Sequence, residues 1–472
     1  MKSEHRSKTF LLLTALGLAA AELSCQKSVE QRRPNLILVS IDTLRADHLT
    51  AYGYDRPTSP EISRLAKEGI LFEQAFSQSP KTATSHMSLF TGVYPPAHRV
   101  ANWGERRVRR LSDDVPTLAT LLARSGYRTE AHTAGGNVSA RLGFDQGFQV
   151  YEEHQGTDPV FAGASKALDR FAQAGGGAKA PFFLFVHTFE VHDPYVPPPE
   201  FAAEFADPSY SGDIVSSQEE LERLAGGGNY WARNREFWRR VDREDPADIQ
   251  HLKDLYDAEI LFTDSQIAAF RQRLRMLGLE NETILVVLSD HGEEFLDHGG
   301  FLHNALFQEI LHVPLVIRFP ASLGLAAGLR IQDVVQLVDV VPTLLEVLDL
   351  PAPEHLQGRS LLPLVEDRKP LERPVFSQWL AGGRIVALRD GDWKYIQFKR
   401  QEQLFDLAAD PGELLDRVLA QPEVLERLRA MVGEIIGESY AFAETQTPAR
   451  PPQLDQETRQ QLEALGYLEG DS

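Results

Sequence analysis

Three short segments, far apart in the chain, carry residue types that together make one metal site. They are Asp42 in VSIDT (39–43), Thr82 at the head of TATSHMSLFTG (82–92), and Asp290 with His291 in LSDHGEE (288–294). Two Asp carboxylates, a Thr hydroxyl and an imidazole form a mixed oxygen and nitrogen set. That set suits Zn²⁺ or Mn²⁺ and, less well, Ca²⁺. Thr82 is the candidate nucleophile. Thr84 and Ser85 are N-cap types ahead of MSLF, which predicts Thr82 at a helix N-terminus, where backbone N–H groups and the dipole favour an oxyanion. A cation on its oxygen would lower the hydroxyl pKa. Taken alone, Thr82 reads better as one of several Ser and Thr residues in a polar capping loop. The acid-bearing segments turn the reading toward chemistry.

Two histidines join the candidate list. His192, in HTFEVHDPYVPP (187–198), follows an apolar run and precedes a Pro-rich loop. It suits donation to a substrate oxygen or to a leaving group. His303, in GFLHN (300–304), lies a dozen residues beyond the Asp-His pair. A lone histidine is more often structural, and the same holds for Asp297 and His298, which read as turn residues or as supports for the ligands.

The elements that must position these groups follow from the apolar pattern. LILVSI (36–41) and ILVVLS (284–289) are continuous β-forming runs that stop at an acid. Such runs read as buried parallel strands, and open α/β sheets keep their sites at the carboxyl edge. FFLFVHTF (182–189) is a further buried strand and YRTEAHTAG (127–135) the next. TSPEISRLAKEG (58–69) predicts a helix with Ser59 as N-cap and Gly69 past its end, and VPTLATLLARSG (115–126) predicts a second. Strand and helix signals alternate to about Pro320, which predicts a doubly wound, mostly parallel sheet.

Residues 206–248 break the pattern. They are polar and Gly-broken, with Tyr230, Trp231, Phe237 and Trp238 among four arginines. They read as a surface helix whose aromatics pack on the body, or as an insertion that covers substrate. Beyond Pro370, VFSQWL, RIVALRD, WKYIQF and QLFDLA predict short antiparallel strands, followed by a helix from about Glu423 to Ile436. The expected organisation is therefore a targeting segment at 1–25, a catalytic domain at 33–370 with the 206–248 insertion, and a smaller α+β subdomain at 371–472.

The 472 residues carry a net charge of −20 with 43% hydrophobic content. An acidic chain of ordinary globular composition excludes a phosphate-backbone reader, so no nucleic-acid partner is expected. Lys2, Arg6 and Lys8 precede an apolar stretch from Phe10 to Ala21, about the length of a signal h-region and short for a membrane span. Cys25 is the chain's one cysteine and resembles a bacterial lipoprotein acylation site, although Glu22 stands where an apolar residue is usual. The reading is an exported, periplasmic or cell-surface lipoprotein that meets the membrane only through its N-terminal lipid or signal anchor. With one cysteine, no disulfide forms within the chain.

Taken together, these motifs resemble the sulfatase family of the alkaline phosphatase superfamily. PNLILVSIDTLRADHLTAYGY (34–54) is similar to the family's opening strand and metal loop. SHMSLFTGVYPPAH (85–98) is similar to the segment after its nucleophile. GYRT (126–129), HDPY (192–195) and SDHGEEFLDHG (289–299) are similar to its later motifs. VDVVPTLLEVLDL (338–350), GRSLLPL (358–364), LFDLAADPGE (404–413) and LGYLE (465–469) are similar to its C-terminal half. The resemblance implies an alkaline phosphatase-like α/β/α sandwich with a smaller antiparallel C-terminal subdomain. It implies one divalent metal ion, with Asp42, Asp290 and His291 at ligand positions and Thr82 at the nucleophile, also a ligand. His192 matches a substrate-contacting histidine, and His303 lies near another.

The departures from the family pattern bear on the chemistry. Sulfatases carry Cys or Ser at the nucleophile, matured to formylglycine within Cys-x-Pro-x-Arg; here Thr82, Ala83, Thr84, Ser85 and His86 stand there. Thr43 replaces a frequent second Asp ligand, and AHTAGGN (131–137) replaces a Lys and His that clamp the anion. A formylglycine hydrate expels sulfate by collapsing to the aldehyde, whereas a threonine ether oxygen cannot. Three readings stand side by side. One is hydrolysis of sulfuric esters, as the family name implies. The second is cleavage or transfer of phosphoric or phosphonic esters through Thr82, as in phosphoglycerol and phosphoethanolamine transferases. The third is a surface lipoprotein that binds anionic glycans without turnover. Each takes an anionic ester, small molecule or glycan, as its partner.

Overall fold

The computed structural model describes residues 33–101, 109–175, 180–227, 229–379 and 385–449. The expected targeting segment at 1–25, with Cys25, lies outside the described residues, as does the LGYLE ending. The chain from Pro34 onward clusters as one unit.

Strands β1 (Asn35–Ile41), β2 (Ile70–Phe76), β3 (Arg128–Thr133), β4 (Val150–Glu153), β5 (Phe182–Thr188) and β6 (Thr283–Ser289) are followed by a two-residue pair, β7 (Glu294–Phe295) and β8 (Phe301–Leu302), and then by β9 (His312–Arg318) and β10 (Leu329–Gln336). Among the described residues eight of them form one sheet, in the order β10-β2-β9-β6-β1-β5-β3-β4. β1 pairs parallel with β5 and β6, β3 parallel with β5 and β4, and β2 parallel with β10. β9 runs antiparallel to both of its neighbours. The mostly parallel sheet expected from the alternating signals is present, with one reversed strand inside it.

Both faces of the sheet are covered, which is why β1 reads as an unbroken apolar run. Its side chains alternate: Leu36 and Leu38 enter one core layer, while Ile37, Val39 and Ile41 enter the other. The first layer is completed by the helices Thr82–Thr91, Leu118–Arg124 and Val340–Val347. The second is completed by Pro60–Glu68, Thr157–Gln173 and the long helix Pro246–Met276. This is the α/β/α sandwich that the sequence implied.

The helix Pro60–Glu68 starts where expected, with Ser59 at the N-cap position, but the Ser59 side chain makes no capping bond. The Ser59 hydroxyl accepts from Thr50 N instead, and the first helical N–H groups, Glu61 and Ile62, donate to the Asp264 carboxylate at 2.7 and 2.8 Å. A side chain from the long helix thus supplies the oxygen that N-terminal N–H groups require.

β11 (Val375–Gln378), β12 (Ile385–Asp390), β13 (Trp393–Phe398) and β14 (Gln401–Asp406) form an antiparallel sheet in sequential order. The helix Pro422–Glu444 lays Leu425, Leu428 and Val432 against Phe376, Val386 and Leu388 of that sheet. It runs eight residues past the expected end at Ile436. Among the described residues no helix is long and apolar enough to cross a membrane.

Candidate active site

β1 ends at Ile41 and β6 at Ser289, and the two strands are parallel neighbours, so Asp42 and Asp290 emerge side by side at the carboxyl edge. Asp42, Asp290 and His291 each offer an atom within 4.8 Å of the others. His291 Nε2 lies 3.3 Å from Asp290 Oδ2 and 3.6 Å from Asp42 Oδ1. His291 Nδ1 is 3.1 Å from the Gly292 carbonyl, which accepts only an N–H. That bond places the proton on Nδ1 and leaves the Nε2 lone pair facing the two carboxylates. Burial holds the His291 imidazole down at about 4, so it is neutral near pH 7.

Thr82 opens the helix Thr82–Thr91 and so lies at a helix N-terminus as expected, although Lys81, rather than Thr84 or Ser85, holds the N-cap position. The Thr82 hydroxyl sits 3.4 Å from Asp42 Oδ2 and 3.3 Å from His291 Nε2. Ser85, one turn along, donates its hydroxyl to the Asp290 carbonyl at 2.7 Å and fixes this helix against the β6 loop.

His192 and His303 close the other side. The His303 ring lies 4.5 Å from that of His291 and 5.2 Å from that of His192, centroid to centroid. All six residues singled out in the sequence therefore gather at one edge of the sheet. Burial alone would lower His192, but the Asp193 carboxylate beside it, with Asp42 and Glu293, outweighs that and holds it up at about 10. Asp193 in turn accepts from Trp238 Nε1 at 2.7 Å, from Asn234 Nδ2, and from the Tyr230 hydroxyl at 3.3 Å. These three belong to the helix Tyr230–Trp238 of the 206–248 segment, whose Phe237 is buried in the core. The aromatics do pack on the body, and they do so against the residue that charges His192.

Several site residues carried no signal that sequence reasoning caught. His86, inside the helix Thr82–Thr91, directs Nδ1 to the Thr82 carbonyl at 2.9 Å and takes Ser40 Oγ at Nε2, also at 2.9 Å. His187 on β5 is fully buried 3.9 Å from Asp42 Oδ2, and neither ring nitrogen has a hydrogen-bond partner among the described residues. Lys81 reaches Asn304 at 2.8 Å, and burial lowers it to about 7. Glu293, raised to about 8 by burial, lies 3.2 Å from His303 Nδ1. Lys81 and Glu293 sit one and two residues from singled-out positions, so proximity in sequence was the available clue. His86 and His187 lie within a helix and a strand, where a buried histidine looks like core. Asp297 and His298 serve structure: Asp297 pairs with Arg45, and His298 with Glu309.

The donor set fits a cation. Asp42 Oδ1 and both Asp290 carboxylate oxygens accept no hydrogen bond among the described residues, and all are buried. His86 Nδ1 lies 3.3 Å from Asp290 Oδ2, but its proton is directed at the Thr82 carbonyl. Burial and the charge of Asp290 drive Asp42 well up; burial opposes ionisation of Asp290 too, but His291 and His86 outweigh it and hold that group low. Two dry carboxylates with three orphaned oxygens are costly unless a positive charge lies between them. With the neutral His291 nitrogen and the Thr82 oxygen they offer the oxygen and nitrogen donors that a divalent ion takes.

Comparison with known proteins agrees with this geometry. Residues 34–350 match the sulfatase family and residues 296–438 match the C-terminal region of N-sulphoglucosamine sulphohydrolase. The chain belongs to the sulfatase family and is an ester hydrolase of that class. It is 26% identical to arylsulfatase K of Bos taurus, over 85% of this chain and 82% of that protein. To an arylsulfatase of Clostridium perfringens it is 24% identical, over 87% of this chain and 96% of that one. Among solved structures, a protein bound to D-glucosamine-2-N,6-O-disulfate superimposes with a TM-score of 0.71 at 19% identity, covering 90% of this chain and 100% of that one. A phosphonate monoester hydrolase of Agrobacterium radiobacter does so with a TM-score of 0.66 at 21% identity, covering 86% and 96%.

Proposed function

We propose that this protein is a single-metal hydrolase of anionic sulfuric or phosphoric esters that works through Thr82. The observation that carries the reading is the approach of the Thr82 hydroxyl to Asp42 Oδ2 and His291 Nε2, beside three buried carboxylate oxygens without partners. Asp42, Asp290, His291 and the Thr82 oxygen would hold the ion. When bound, a divalent ion supplies Lewis-acid polarisation of the transferred group.

The chain's own residues do the rest. Asp42 Oδ2 takes the hydroxyl proton of Thr82 as Oγ1 bonds to the phosphorus or sulfur of the ester. The bond to the leaving alcohol breaks, and His192, kept protonated by Asp193, gives that oxygen a proton. Water then attacks the same centre and gives a proton to His192, the bond to Thr82 breaks, and Oγ1 takes back its proton from Asp42. His303 and Lys81 flank the position of the non-bridging oxygens, where donors stabilise developing negative charge. They stand in for the anion clamp whose Lys and His are replaced by AHTAGGN.

Threonine at the attacking position favours phosphoric and phosphonic esters, because a sulfo-threonine has no aldehyde to collapse to and must await water at sulfur. Similarity to arylsulfatases and to a structure holding a disulfated glucosamine supports the sulfuric ester reading, here a sulfate ester on an anionic glycan. We extend the reading to export of the chain as a lipid-anchored protein through Cys25.

The test is incubation of purified protein with aryl sulfate, aryl phosphate and aryl phosphonate esters, followed by product assay and intact-protein mass. A phosphoryl-sized adduct on the Thr82 peptide, with turnover lost in Thr82→Ala, is the expected result. Sulfate release that survives Thr82→Ala would remove Thr82 from the mechanism.

A further inference from the structure

A second constellation lies on the flank of the sheet, on strands that the proposed mechanism does not use. β3 carries Glu130 and His132, and β4 leads from Glu152 to His154, so each of two neighbouring strands presents Glu-x-His. Side chains two apart share a face of a strand. The strands are parallel with His132 opposite Glu152, which brings the two pairs together on one face.

The contacts are specific. His132 Nδ1 and His154 Nε2 lie 2.9 Å apart, and Glu152 Oε2 lies 3.5 Å from the first and 3.8 Å from the second. For tetrahedral zinc, with bonds of about 2.0–2.1 Å, ligand atoms stand about 3.3–3.4 Å apart. The three separations bracket that value. The other nitrogen of His132, Nε2, is 2.9 Å from Glu130 Oε1, and Glu130 is paired with Arg170. The Glu130 carboxylate, paired with Arg170, accepts a hydrogen bond from Nε2–H, so the Nδ1 lone pair of His132 faces His154 and Glu152. Ligating histidines are oriented in this way by a carboxylate on their second nitrogen.

Space has been kept for an occupant. Gly163 lies in the interior of the helix Thr157–Gln173, where glycine costs about 1 kcal/mol relative to alanine. A Cβ on Gly163 would come within 2.5 Å of His132 Nδ1 and 2.9 Å of His154 Nε2. The glycine therefore clears the volume around the two ligand nitrogens. The His132 side chain is 1% exposed and that of Glu152 is 52% exposed, so the cluster is anchored at its base and open to solvent at its rim.

We propose that His132 Nδ1, His154 Nε2 and Glu152 Oε2 form a second divalent-metal site, best matched to Zn²⁺, with solvent completing the coordination. Its role is structural. β4 is the edge of the large sheet, paired on one side to β3 alone among the described residues. A metal bridging β3 to the segment after β4 pins that edge.

The test uses the full chain and Zn²⁺ alone as the probe. Wild type, His154→Gln, Glu152→Gln and Gly163→Ala are stripped with chelator, loaded with Zn²⁺, desalted and assayed for bound zinc. His154→Gln and Gly163→Ala should retain one zinc per chain fewer than wild type, whatever the catalytic site holds. Glu152→Gln, at an exposed position that leaves the fold intact, should weaken the same zinc at least about tenfold. Zinc should raise the melting temperature of wild type more than that of His154→Gln, and ester hydrolysis with the catalytic ion supplied should persist in all three variants. Equal zinc counts in wild type, His154→Gln and Glu152→Gln would overturn the proposal and leave a hydrogen-bonded imidazole pair in its place.

Discussion

The Thr43 hydroxyl donates to the Val191 carbonyl at 2.6 Å, and both residues hold left-handed backbone, with φ of 53° and 82°. Thr43 follows Asp42, and Val191 precedes His192. One buried hydrogen bond therefore joins the loop that carries a candidate ligand to the loop that carries the candidate acid. β-Branched residues rarely adopt such backbone, and each instance costs about 1–3 kcal/mol. The strain sits where the two loops that carry Asp42 and His192 are held in register. Thr43 occupies a position where the family often has a second Asp, and here its oxygen faces the neighbouring loop.

Thr43→Val keeps the shape and removes the donor, leaving the Val191 carbonyl buried without a partner. The expected loss is about 1–3 kcal/mol of stability, read from urea denaturation, with a fall in kcat/KM as His192 loses its register. Unchanged stability would show that the bond does not hold the two loops.

Asp290→Asn and His291→Ala should each strip the active-site ion and abolish turnover while the far-ultraviolet spectrum stays that of wild type. Asp290 follows the last residue of β6 and is fully buried, but its carboxylate oxygens accept no hydrogen bond among the described residues, so a neutral amide costs the fold little. Chelation of wild type should produce the same inactive state, reversed by adding the metal back. Full metal content in either variant would assign the ligands elsewhere.

Much of this site was legible because parallel strands in a covered sheet read as unbroken apolar runs. β1 and β6 both end one residue before an acid, so Asp42 and Asp290 could be placed at one edge without knowing their neighbours. Thr82 was legible through the cap types that put it at a helix N-terminus and through the acid-bearing segments elsewhere in the chain. It does lie at the helix N-terminus, but the cap types did not mark the cap: Lys81 holds that position, and the Ser85 hydroxyl is spent on the Asp290 carbonyl. Ser59 stands at the N-cap position as read, but the capping oxygen comes from Asp264, some two hundred residues away. The reversal of β9 left no trace, since a buried strand has the same composition in either direction. The role of the 206–248 segment was undecidable because it turns on Asp193, whose three donors come from a helix that has no apolar stripe to announce it.

Loss of the Asp193 anchor makes a further prediction. Asn234→Ala and Trp238→Phe each remove one donor to the carboxylate that keeps His192 protonated. Both should lower kcat, with the alkaline limb of the pH–rate profile moving to lower pH. KM for a small aryl ester should change less than kcat. A profile superimposable on that of wild type would reduce the helix Tyr230–Trp238 to packing.

Arg271 is fully buried in the long helix, with Nη1 2.7 Å from Glu61, Nε 2.6 Å from Glu280, and Nη2 on Glu68. Arg271→Met leaves Glu61 and Glu280 charged, largely buried and short of a partner. Breaking such a network from one side costs about 3–5 kcal/mol. Adding Glu61→Gln to that variant should recover part of the loss, because the remaining desolvated charge is removed. A single variant as stable as wild type in urea would show that the network contributes nothing net.

His98 gives the fold a defined response to acid. Its Nδ1 accepts from Val100 N at 3.0 Å, and Nε2 lies 3.0 Å from Ser88 Oγ, so the buried ring is neutral with its proton on Nε2. Protonating Nδ1 would set an N–H against the Val100 N–H in a dry site, and burial holds the imidazole down at about 3. The unfolded chain has an ordinary histidine there, near 6.5. Below that value the unfolded state binds a proton that the folded state refuses. This contribution to stability is therefore complete above the ordinary histidine value and drains away as pH falls toward 3. The slope is about 1.4 kcal/mol per pH unit across that window. His98→Gln keeps polar atoms near Val100 and Ser88 but cannot titrate, so its stability in urea should fall less steeply than that of wild type over the same range. Carboxylates that titrate there contribute equally to both proteins and cancel in the difference. Parallel stability curves would show that His98 is protonated in the folded state as readily as in the unfolded one.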